Sequence, residues 1–259
     1  MDATVIYSKQ EAAAFICLNR PQVYNALNDE LCYALQEALQ KAAEDEAVRV
    51  VVLTGAGKGF CSGQDVKAIE DMQGTLPSEA IYKKYNPIIN LMRGMHKPII
   101  CKLNGVAAGA GCSLALACDY IIAADDAILT QAFINIGLVP DSGASFFLPR
   151  LVGMHKAFEL ATRATKITAT EAQTLGMINK AVPAAQLDEA VQEVVNYYAA
   201  APTKAIALIK DLMNKSSSSS LHELLELEAR YQDIAGATED FKEGVKAFVE
   251  KRKAQFKGR

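Results

Sequence analysis

The chain has 259 residues, of which 51% are hydrophobic and 22% are charged, a balance typical of a water-soluble globular protein rather than a disordered or membrane-embedded one. A chain of this length can bury roughly three quarters of its unfolded surface, as one large domain or as one domain with an appendage. Its net charge of −3 excludes a general electrostatic attraction to nucleic acid.

The apolar segments and the N-terminus give no sign of a membrane or a secretory route. No apolar run reaches the roughly 18 residues that a membrane-spanning helix needs. The first segment, MDATVIYSKQEAAAF, lacks the basic-then-apolar order of a signal peptide. We therefore expect a cytoplasmic protein that does not associate with membranes.

Cysteine and histidine are spaced too widely for a metal site. The six cysteines include no C-x-x-C pair, and His96, His155 and His222 lie far apart. Most of the cysteines stand inside apolar runs such as FICLN and IICKL, where a thiol behaves as a small hydrophobic group. The sequence predicts a reduced chain without a metal ion.

Strand and helix patterns alternate through the first 200 residues. AAAFICLNR (12–20) predicts a strand, Asn28 is the predicted cap of the helix that follows, and VRVVVLTG (48–55) is typical of a strand buried on both faces. Further strands are predicted over 97–105, 120–124 and 178–182, and further helices over 170–176 and 186–200. This alternation favours an α/β architecture with buried strands.

The last sixty residues have helical patterns only. Ser220 and Glu223 form a predicted capping box for one helix, and Thr238 caps another. We therefore divide the chain into a core over 1–200 and a helical region over 201–259. The apolar stripes of these terminal helices dock either on the core or on another subunit.

Two glycine-rich loops follow buried strands, FCSGQD (60–65) and GVAAGAG (105–111). Glycine allows backbone N–H groups to approach a ligand closely, and the first N–H groups of a helix, which the second loop opens, have no partner within that helix. Two such donors that converge on one oxygen form an oxyanion hole, in which each donor stabilises a transition state by roughly 3–4 kcal/mol. Neither loop fits a nucleotide-binding motif, and glycine at such turns often serves close packing alone, so both interpretations stay open at this point.

Asp141 stands alone in the apolar segment INIGLVPDSGASFF (134–147). No Lys, Arg or His lies within eight residues on either side. Apolar surroundings would raise its pKa above the usual value of about 3.9. The alternative is a turn cap after Pro140, in which the carboxylate accepts a hydrogen bond from the N–H of Gly143.

Four motifs, in order, resemble those of the crotonase superfamily, the enoyl-CoA hydratases and isomerases. They are LNRPQVYNAL (18–27), GAGKGFCSGQD (55–65), NGVAAGAGCSLALACDY (104–120) and GLVPDSG (137–143). The resemblance extends to the C-terminus and covers essentially the whole chain, and the segments after Gly137 are most similar to the ring-1,2-epoxyphenylacetyl-CoA isomerases of phenylacetate breakdown. It implies a crotonase-like ββα spiral core with a C-terminal helical trimerisation region, and homotrimers that often pair into hexamers.

The resemblance also implies the residues that bind an acyl-CoA thioester. In the family two backbone N–H groups hold the thioester oxygen, and they correspond here to Gln64 and Ala110. Coenzyme A runs along the first loop, which implies contacts with Ser62, Asp65, Val66 and Lys67. Phe133 is expected to line the acyl pocket, and Phe146 and Phe147 either line it too or pack in the core. Coenzyme A is then part of the substrate, and no separate cofactor is expected.

The resemblance also indicates whether the protein is a hydratase or an isomerase. The two glutamates with which hydratases handle water are replaced here by Ser113 and Phe133, and neither side chain can do general acid–base work. The family's isomerases have a single acid at the position of Asp141. The resemblance therefore implies an acyl-CoA isomerase with Asp141 as its base, which shifts a double bond from the 3,4 to the 2,3 position, isomerises ring-1,2-epoxyphenylacetyl-CoA to the oxepin, or does both.

Three alternatives stay open. An enoyl-CoA hydratase would add water to the same kind of thioester. An aryl-CoA dehalogenase would use the acid at Asp141 as a nucleophile, although such enzymes also rely on a tryptophan and this chain has none. A non-catalytic scaffold would bind acyl-CoA and leave its double bond in place.

Overall fold

The structure is a computed structural model, and it describes residues 3–65 and 76–259. Val66 and Lys67, two of the expected coenzyme A contacts, lie outside the described residues. The strands in these ranges are β1 (Val5–Gln10), β2 (Ala13–Leu18), β3 (Val50–Gly55), β4 (Gly59–Cys61), β5 (Ile99–Leu103), β6 (Val106–Ala108), β7 (Tyr120–Ala124), β8 (Ile128–Thr130), β9 (Ile167–Thr168) and β10 (Lys180–Val182).

The helices fill most of the rest of the described chain. They are α1 (Asp29–Glu44), α2 (Pro77–Ala80), α3 (Asn86–Gly94), α4 (Ala110–Leu116), α5 (Ala144–Val152), α6 (Met154–Arg163), α7 (Ala169–Thr174), α8 (Leu187–Ala200), α9 (Thr203–Lys215), α10 (Leu221–Gly236) and α11 (Glu239–Val249). A π-helical turn, Ile81–Tyr85, joins α2 to α3. In the described ranges, no helix combines the length and the apolar character needed to cross a bilayer.

The larger sheet has six strands in the order β1-β2-β3-β5-β7-β10. β1 and β2 are antiparallel, and the other neighbours are parallel. β3 is buried on both faces, as its β-branched run predicts. Its alternate side chains pack against two helices: Val51 lies in one cluster with Leu35 of α1, and Val52 lies in another with Val191 of α8.

The smaller sheet lies within the glycine-rich loops and the segments beside them. Its strands are two or three residues long and run in the order β4-β6-β8-β9. Since β4 follows β3, β6 follows β5 and β8 follows β7, three strands of the first sheet each continue into a short strand of the second. This repeated pattern confirms the predicted α/β core.

Local sequence signals explain where several helices begin. The side chain of Asn28 accepts a hydrogen bond from Leu31 N at 3.0 Å, which caps α1 as predicted. The capping box of Ser220 and Glu223 at the start of α10 is also confirmed. The start predicted for α7, at Thr170, is wrong, because Thr168 two residues earlier forms a capping box with Glu171. Such a box satisfies N–H groups that the helix cannot satisfy itself.

Of the three C-terminal helices, α9 docks on the core and α10 contributes nothing to it. The buried Lys210 of α9 donates hydrogen bonds to Met92 O at 2.8 Å and to Asp119 Oδ2 at 2.7 Å. α10 contributes no buried residue, although it carries large apolar side chains such as Leu221 and Leu225, which are 74% and 53% exposed. Docking on the core therefore accounts for α9 and leaves the apolar face of α10 uncovered within one chain.

Candidate active site

Asn25 fixes the shape of the segment that precedes the first glycine-rich loop. Its side-chain amide donates hydrogen bonds to Ala56 O, Gly59 O and Phe60 O at 3.0, 2.8 and 3.1 Å, and its Oδ1 accepts one from Arg20 N at 2.8 Å. The residue is fully buried and has a φ of +56°, which asparagine tolerates better than most residues. A single side chain thus ties together backbone segments that are more than thirty residues apart in sequence.

The first loop is paired with residue 27 through its backbone. Leu27 N donates to Gly63 O at 2.7 Å, and Asp65 N donates to Leu27 O at 3.0 Å, which makes Leu27 and Gln64 a parallel bridge. Successive N–H groups of an extended chain point to opposite sides. The N–H of Gln64 therefore points away from Leu27.

The two glycine-rich loops touch each other at Gly63. A Cβ atom added there would lie 2.8 Å from Ala108 O and 3.4 Å from Ala110 N, and the φ of Gly63 is +89°. A Cβ at Gly111 would lie only 2.2 Å from Cys61 O. Glycine at both positions therefore allows a close approach of the loops that any larger residue would prevent, which brings the two predicted N–H donors into adjacent backbone.

Ala110 is the first residue of α4 and completes this junction. As the first helical residue, it has no acceptor for its N–H within the helix. The preceding Gly109 donates its own N–H to Thr130 O at 3.0 Å and accepts from Ser113 N at 3.0 Å. The backbone of the second loop is therefore fixed on both sides of the predicted donor.

The structure describes two of the expected coenzyme A contacts, Ser62 and Asp65. Each of them interacts with another residue of the protein. Ser62 Oγ donates to Val23 O at 3.2 Å. Asp65 forms an ion pair with Arg20 at 2.9 Å, and its side chain is 14% exposed. The same Arg20 also donates to Ala26 O at 2.6 Å, so this pair fixes the end of the first loop.

Asp141 lies just before α5 and is partly buried. Burial raises the pKa of its carboxyl group above the usual value, and a hydrogen bond from Ser142 Oγ to Asp141 Oδ1, at 2.8 Å, opposes part of that rise. In the described part of the chain, Gly143 N donates no hydrogen bond to this carboxyl group, so the turn-cap alternative is not observed. The carboxyl group is thus a proton acceptor of increased basicity.

Tyr85 is a residue of this region that the sequence analysis missed. It ends the π-helical turn before α3 and is 4% exposed. Burial raises the pKa of its hydroxyl group, and Cys32, Asp141 and Cys61 raise it further. Tyr85 therefore lies within electrostatic range of Asp141. Single π turns are rare and frequently mark functional sites.

The Enoyl-CoA hydratase/isomerase family matches residues 8–259. This chain belongs to the enoyl-CoA hydratase/isomerase family. It is 40% identical over 247 residues to the 1,2-epoxyphenylacetyl-CoA isomerase of Escherichia coli, covering 94% of each chain. It is 41% identical over 256 residues to a protein of Rhodobacter capsulatus described as a probable enoyl-CoA hydratase, covering 99% of this chain and 98% of that one.

The fold agrees with solved structures of the same family. The crystal structure of enoyl-CoA hydratase from Bacillus anthracis superposes with a TM-score of 0.92 at 31% identity, over 99% of this chain and all of the other. The predicted crotonase-like α/β fold is therefore confirmed, as is membership of the superfamily, and the structure shows that its strands form two sheets.

Ser113 and Phe133 occupy the positions at which the sequence analysis expects the acids of a family hydratase. Ser113 is fully buried and donates its hydroxyl to Gly109 O at 3.2 Å. Phe133 is 8% exposed, and its ring lies over Gly109, within 3.8 Å of where a Cβ there would stand. Both residues support the second loop, and neither supplies a carboxylate.

Phe146 and Phe147 lie at a cleft, and the Phe147 ring also lies against Gly143, where an added Cβ would be 2.6 Å from it. They line this cleft, which has a volume of about 650 Å³, together with Arg93, Asp119 and Lys210. The Arg150 guanidinium stacks on the Phe146 ring at 3.7 Å. This cleft runs along α9, and Asp141 is not among its lining residues. Phe133, in contrast, lies against Gly109 of the second loop.

The described residues contain no group of three or more His, Cys, Asp or Glu side chains arranged to hold a metal ion.

Proposed function

We propose that this protein is an acyl-CoA isomerase with Asp141 as its single catalytic base. The substrate is a 3-enoyl-CoA, whose double bond moves to the 2,3 position, ring-1,2-epoxyphenylacetyl-CoA, which becomes the oxepin, or both. The observation that carries this proposal is a partly buried carboxyl group of raised pKa in a region where Ser113 and Phe133 replace the acids that hydration needs.

The thioester oxygen binds between the backbone N–H groups of Gln64 and Ala110. Their hydrogen bonds stabilise the negative charge that develops on this oxygen as the thioester becomes an enolate, by roughly 3–4 kcal/mol per donor. The proton on the α-carbon is thereby acidified. The contact of the two loops at Gly63 supports this assignment, since it fixes both donors to one rigid unit.

Asp141 then moves the proton. Its carboxylate takes the proton from the α-carbon, the electron pair forms the 2,3 double bond as the 3,4 bond opens, and the same carboxyl group returns the proton at the γ-carbon. A raised pKa makes Asp141 both a stronger base in the first step and a ready acid in the second. No water enters the reaction, so no second acid is required.

Coenzyme A is proposed to run along the first loop, next to Ser62, Asp65, Val66 and Lys67. Because Asp65 is paired with Arg20, its role is to hold the loop that the coenzyme follows. The name of the Escherichia coli relative, an isomerase of 1,2-epoxyphenylacetyl-CoA, supports an aromatic acyl group.

A panel assay tests the proposal. The purified protein is incubated with 3-enoyl-CoA, 2-enoyl-CoA and ring-1,2-epoxyphenylacetyl-CoA, and the products are separated by chromatography. We expect conversion of 3-enoyl-CoA, the epoxide or both, and no net addition of water to 2-enoyl-CoA. Hydration of 2-enoyl-CoA as the main reaction would support the hydratase alternative instead.

Asp141→Asn provides the matched variant, because it keeps the size of the side chain and removes its basicity. We expect turnover to fall by about a hundredfold or more, with unchanged binding of acyl-CoA. Binding without any turnover by the unmodified protein would favour the scaffold, and release of halide from 4-halobenzoyl-CoA would favour the dehalogenase.

Assembly into trimers, or hexamers of paired trimers, belongs to the same proposal. Its support is the apolar face of α10 and α11, where Leu221, Leu225 and Phe248 are 74%, 53% and 86% exposed. A second copy of the chain would cover this face. Sedimentation should give a mass of three or six chains, and Leu225→Glu should lower it, whereas Tyr82→Phe, at a residue 72% exposed on the core, should not.

A further inference from the structure

Residues 256–259, which we call the strap, are bound to Asp240 in the first turn of α11. Lys257 N and Gly258 N donate hydrogen bonds to Oδ1 and Oδ2 of Asp240 at 2.6 and 2.8 Å. In return, Asp240 N donates one to Arg259 O at 3.0 Å. Asp240 is 4% exposed, and hydrogen bonds to a charged group are roughly twice as strong as neutral ones. The strap is therefore firmly attached to this helix.

Arg49 attaches the same strap to the core. Its guanidinium donates hydrogen bonds to Phe256 O at 3.1 Å, to Thr203 Oγ1 at 3.0 Å and to Ala201 O. Arg49 immediately precedes β3, the strand that is buried on both faces, and Ala201 and Thr203 lie where α9 begins. The fixed fork of donors in a guanidinium suits such a junction. One side chain thus joins the strap, the larger sheet and α9.

The fit of the strap depends on glycine at residue 258. The φ of Gly258 is +83°, and a Cβ added there would lie 3.0 Å from Thr203 Oγ1 and 3.2 Å from Arg49 Nε. Phe256 lies equally close to α11, because a Cβ added at Gly244 would be 3.4 Å from its ring. The strap is therefore packed against the core on one side and against α11 on the other.

α11 itself has little buried surface. Its buried residues are Asp240 and Ala247, whereas Phe241, Val245 and Phe248 are 53%, 50% and 86% exposed. A helix of eleven residues is only marginally stable in water by itself. The hydrogen bonds of the strap are therefore an important part of what fixes α11 to the core.

The strap also forms one wall of an apolar cleft. Phe256 lines this cleft, of about 410 Å³, together with Phe241, Val245 and Phe248 of α11. Release of the strap would remove Phe256 from the cleft and free the helix that forms its other wall. The apolar surface at α11 therefore has this shape only while the strap is bound.

We propose that the strap is a conformational device that fixes α11 on the core, and that assembly with a second copy of this chain depends on it. Asp240 and Arg49 are its two points of attachment, and loss of either one frees the helix. A surface that is already ordered loses less conformational entropy on binding, which increases its affinity for a partner. The inference rests on the proposed function in taking a second copy as the partner that covers the apolar face of α10 and α11.

Hydrogen exchange tests the role of the strap. Asp240→Ala removes its attachment to α11, and Gly258→Ala strains the strap itself without changing the helix. In both variants the amides of α11 should exchange about tenfold or more faster than in the unmodified protein, whereas those of α1 should not change.

Glu239→Ala is the matched control. Glu239 is the neighbouring acid in the same helical turn, but its side chain is 69% exposed and pairs with Lys242. Both substitutions remove a carboxylate that favours the helix N-terminus, so the difference between them measures the strap alone. We expect exchange in α11 to change by about threefold at most in Glu239→Ala. Equal rates in Asp240→Ala and Glu239→Ala would overturn the inference.

Two further measurements separate the strap from assembly. The exchange experiment is repeated in Leu225→Glu, where contact with a second copy is weakened, and the tenfold difference should remain because the strap acts within one chain. In sedimentation, Asp240→Ala should lower the assembled mass and Glu239→Ala should not; an assembled Asp240→Ala of unchanged mass would contradict the dependence of assembly on the strap. If the unmodified protein sediments as a single chain, the assembly part of the proposed function fails, and the exchange rates still decide whether the strap fixes α11.

Discussion

Ser142 Oγ donates a hydrogen bond to Oδ1 of Asp141 at 2.8 Å, directly at the carboxyl group that we propose as the base. Two opposing effects therefore act on the pKa of this one carboxyl group. Burial raises the pKa of Asp141, and the Ser142 hydroxyl, which favours the charged form, lowers it. Burial is the larger effect, so the pKa stays above its usual value.

The pH dependence of turnover follows from this balance. A base works only when deprotonated, so activity should fall as the pH falls through the pKa of Asp141, and this fall should lie above pH 3.9, about the usual pKa of aspartate. Ser142→Ala removes the opposing hydrogen bond and should move the fall to higher pH. Since Ser142 has a φ of +51°, Ser142→Gly should give the same shift without backbone strain; an unchanged profile in both variants would contradict the assignment.

The same raised pKa predicts a pH-dependent cost in stability. A carboxyl group whose pKa is higher in the folded state contributes stability below its unfolded pKa, and this contribution is lost as the pH rises through the folded value. Asp141→Asn does not ionise. We therefore expect the free energy of unfolding of Asp141→Asn, relative to the unmodified protein, to increase from pH 4 to pH 8 in urea titrations. A difference that stays constant over this range would show that burial does not perturb the carboxyl group.

Asn25 should be far more sensitive to substitution than another asparagine of the same segment. Asn25→Ala removes four hydrogen bonds, two of which are donated to the carbonyl oxygens of Gly59 and Phe60 in buried surroundings, and this loss should lower the free energy of unfolding by about 3 kcal/mol or more. Asn19→Ala, which loses one hydrogen bond to Ala3 O near the surface, should cost about 1 kcal/mol or less. Chemical denaturation of both variants measures the difference, and equal losses would contradict the role given to Asn25.

Alanine substitutions at Gly111 and at Gly236 should have opposite effects on the stability of the protein. A Cβ at Gly111 would lie 2.2 Å from the backbone oxygen of Cys61, whereas a Cβ at Gly236 meets nothing within 4 Å. Gly111→Ala must push the two loops apart, which should cost about 1–3 kcal/mol and lower turnover. Gly236→Ala should raise stability by up to about 1 kcal/mol, because alanine favours the helix. Thermal unfolding and the isomerisation assay check both variants.

Features that depend on neighbouring residues were predictable from the sequence. The apolar run of β7 lies between Asp119 and Asp125, and its predicted bounds, 120–124, agree with the structure. The capping box of Ser220 and Glu223 involves residues three apart. In such cases, the partners that define the structure are all within a few positions.

Features that depend on distant residues were not predictable in this way. The partners of the Asn25 amide lie 31 to 35 positions away, so no local pattern reveals its role. β1 was missed because it is an edge strand with little buried surface. The strands of the second sheet are too short for an alternating pattern, and a π turn has no sequence signature from which the inward direction of Tyr85 could be read.

The burial of the Cys61 thiol allows its chemical modification to be used as a measure of local opening of the structure. Cys61 is fully buried, and burial raises the pKa of its thiol to about 12, so almost no reactive thiolate is present at neutral pH. An alkylating reagent can modify Cys61 only when β4 separates from its neighbours. The rate of that modification therefore measures how often this strand opens, and a ligand that binds along Ser62 and Gln64 should slow it in proportion to its occupancy.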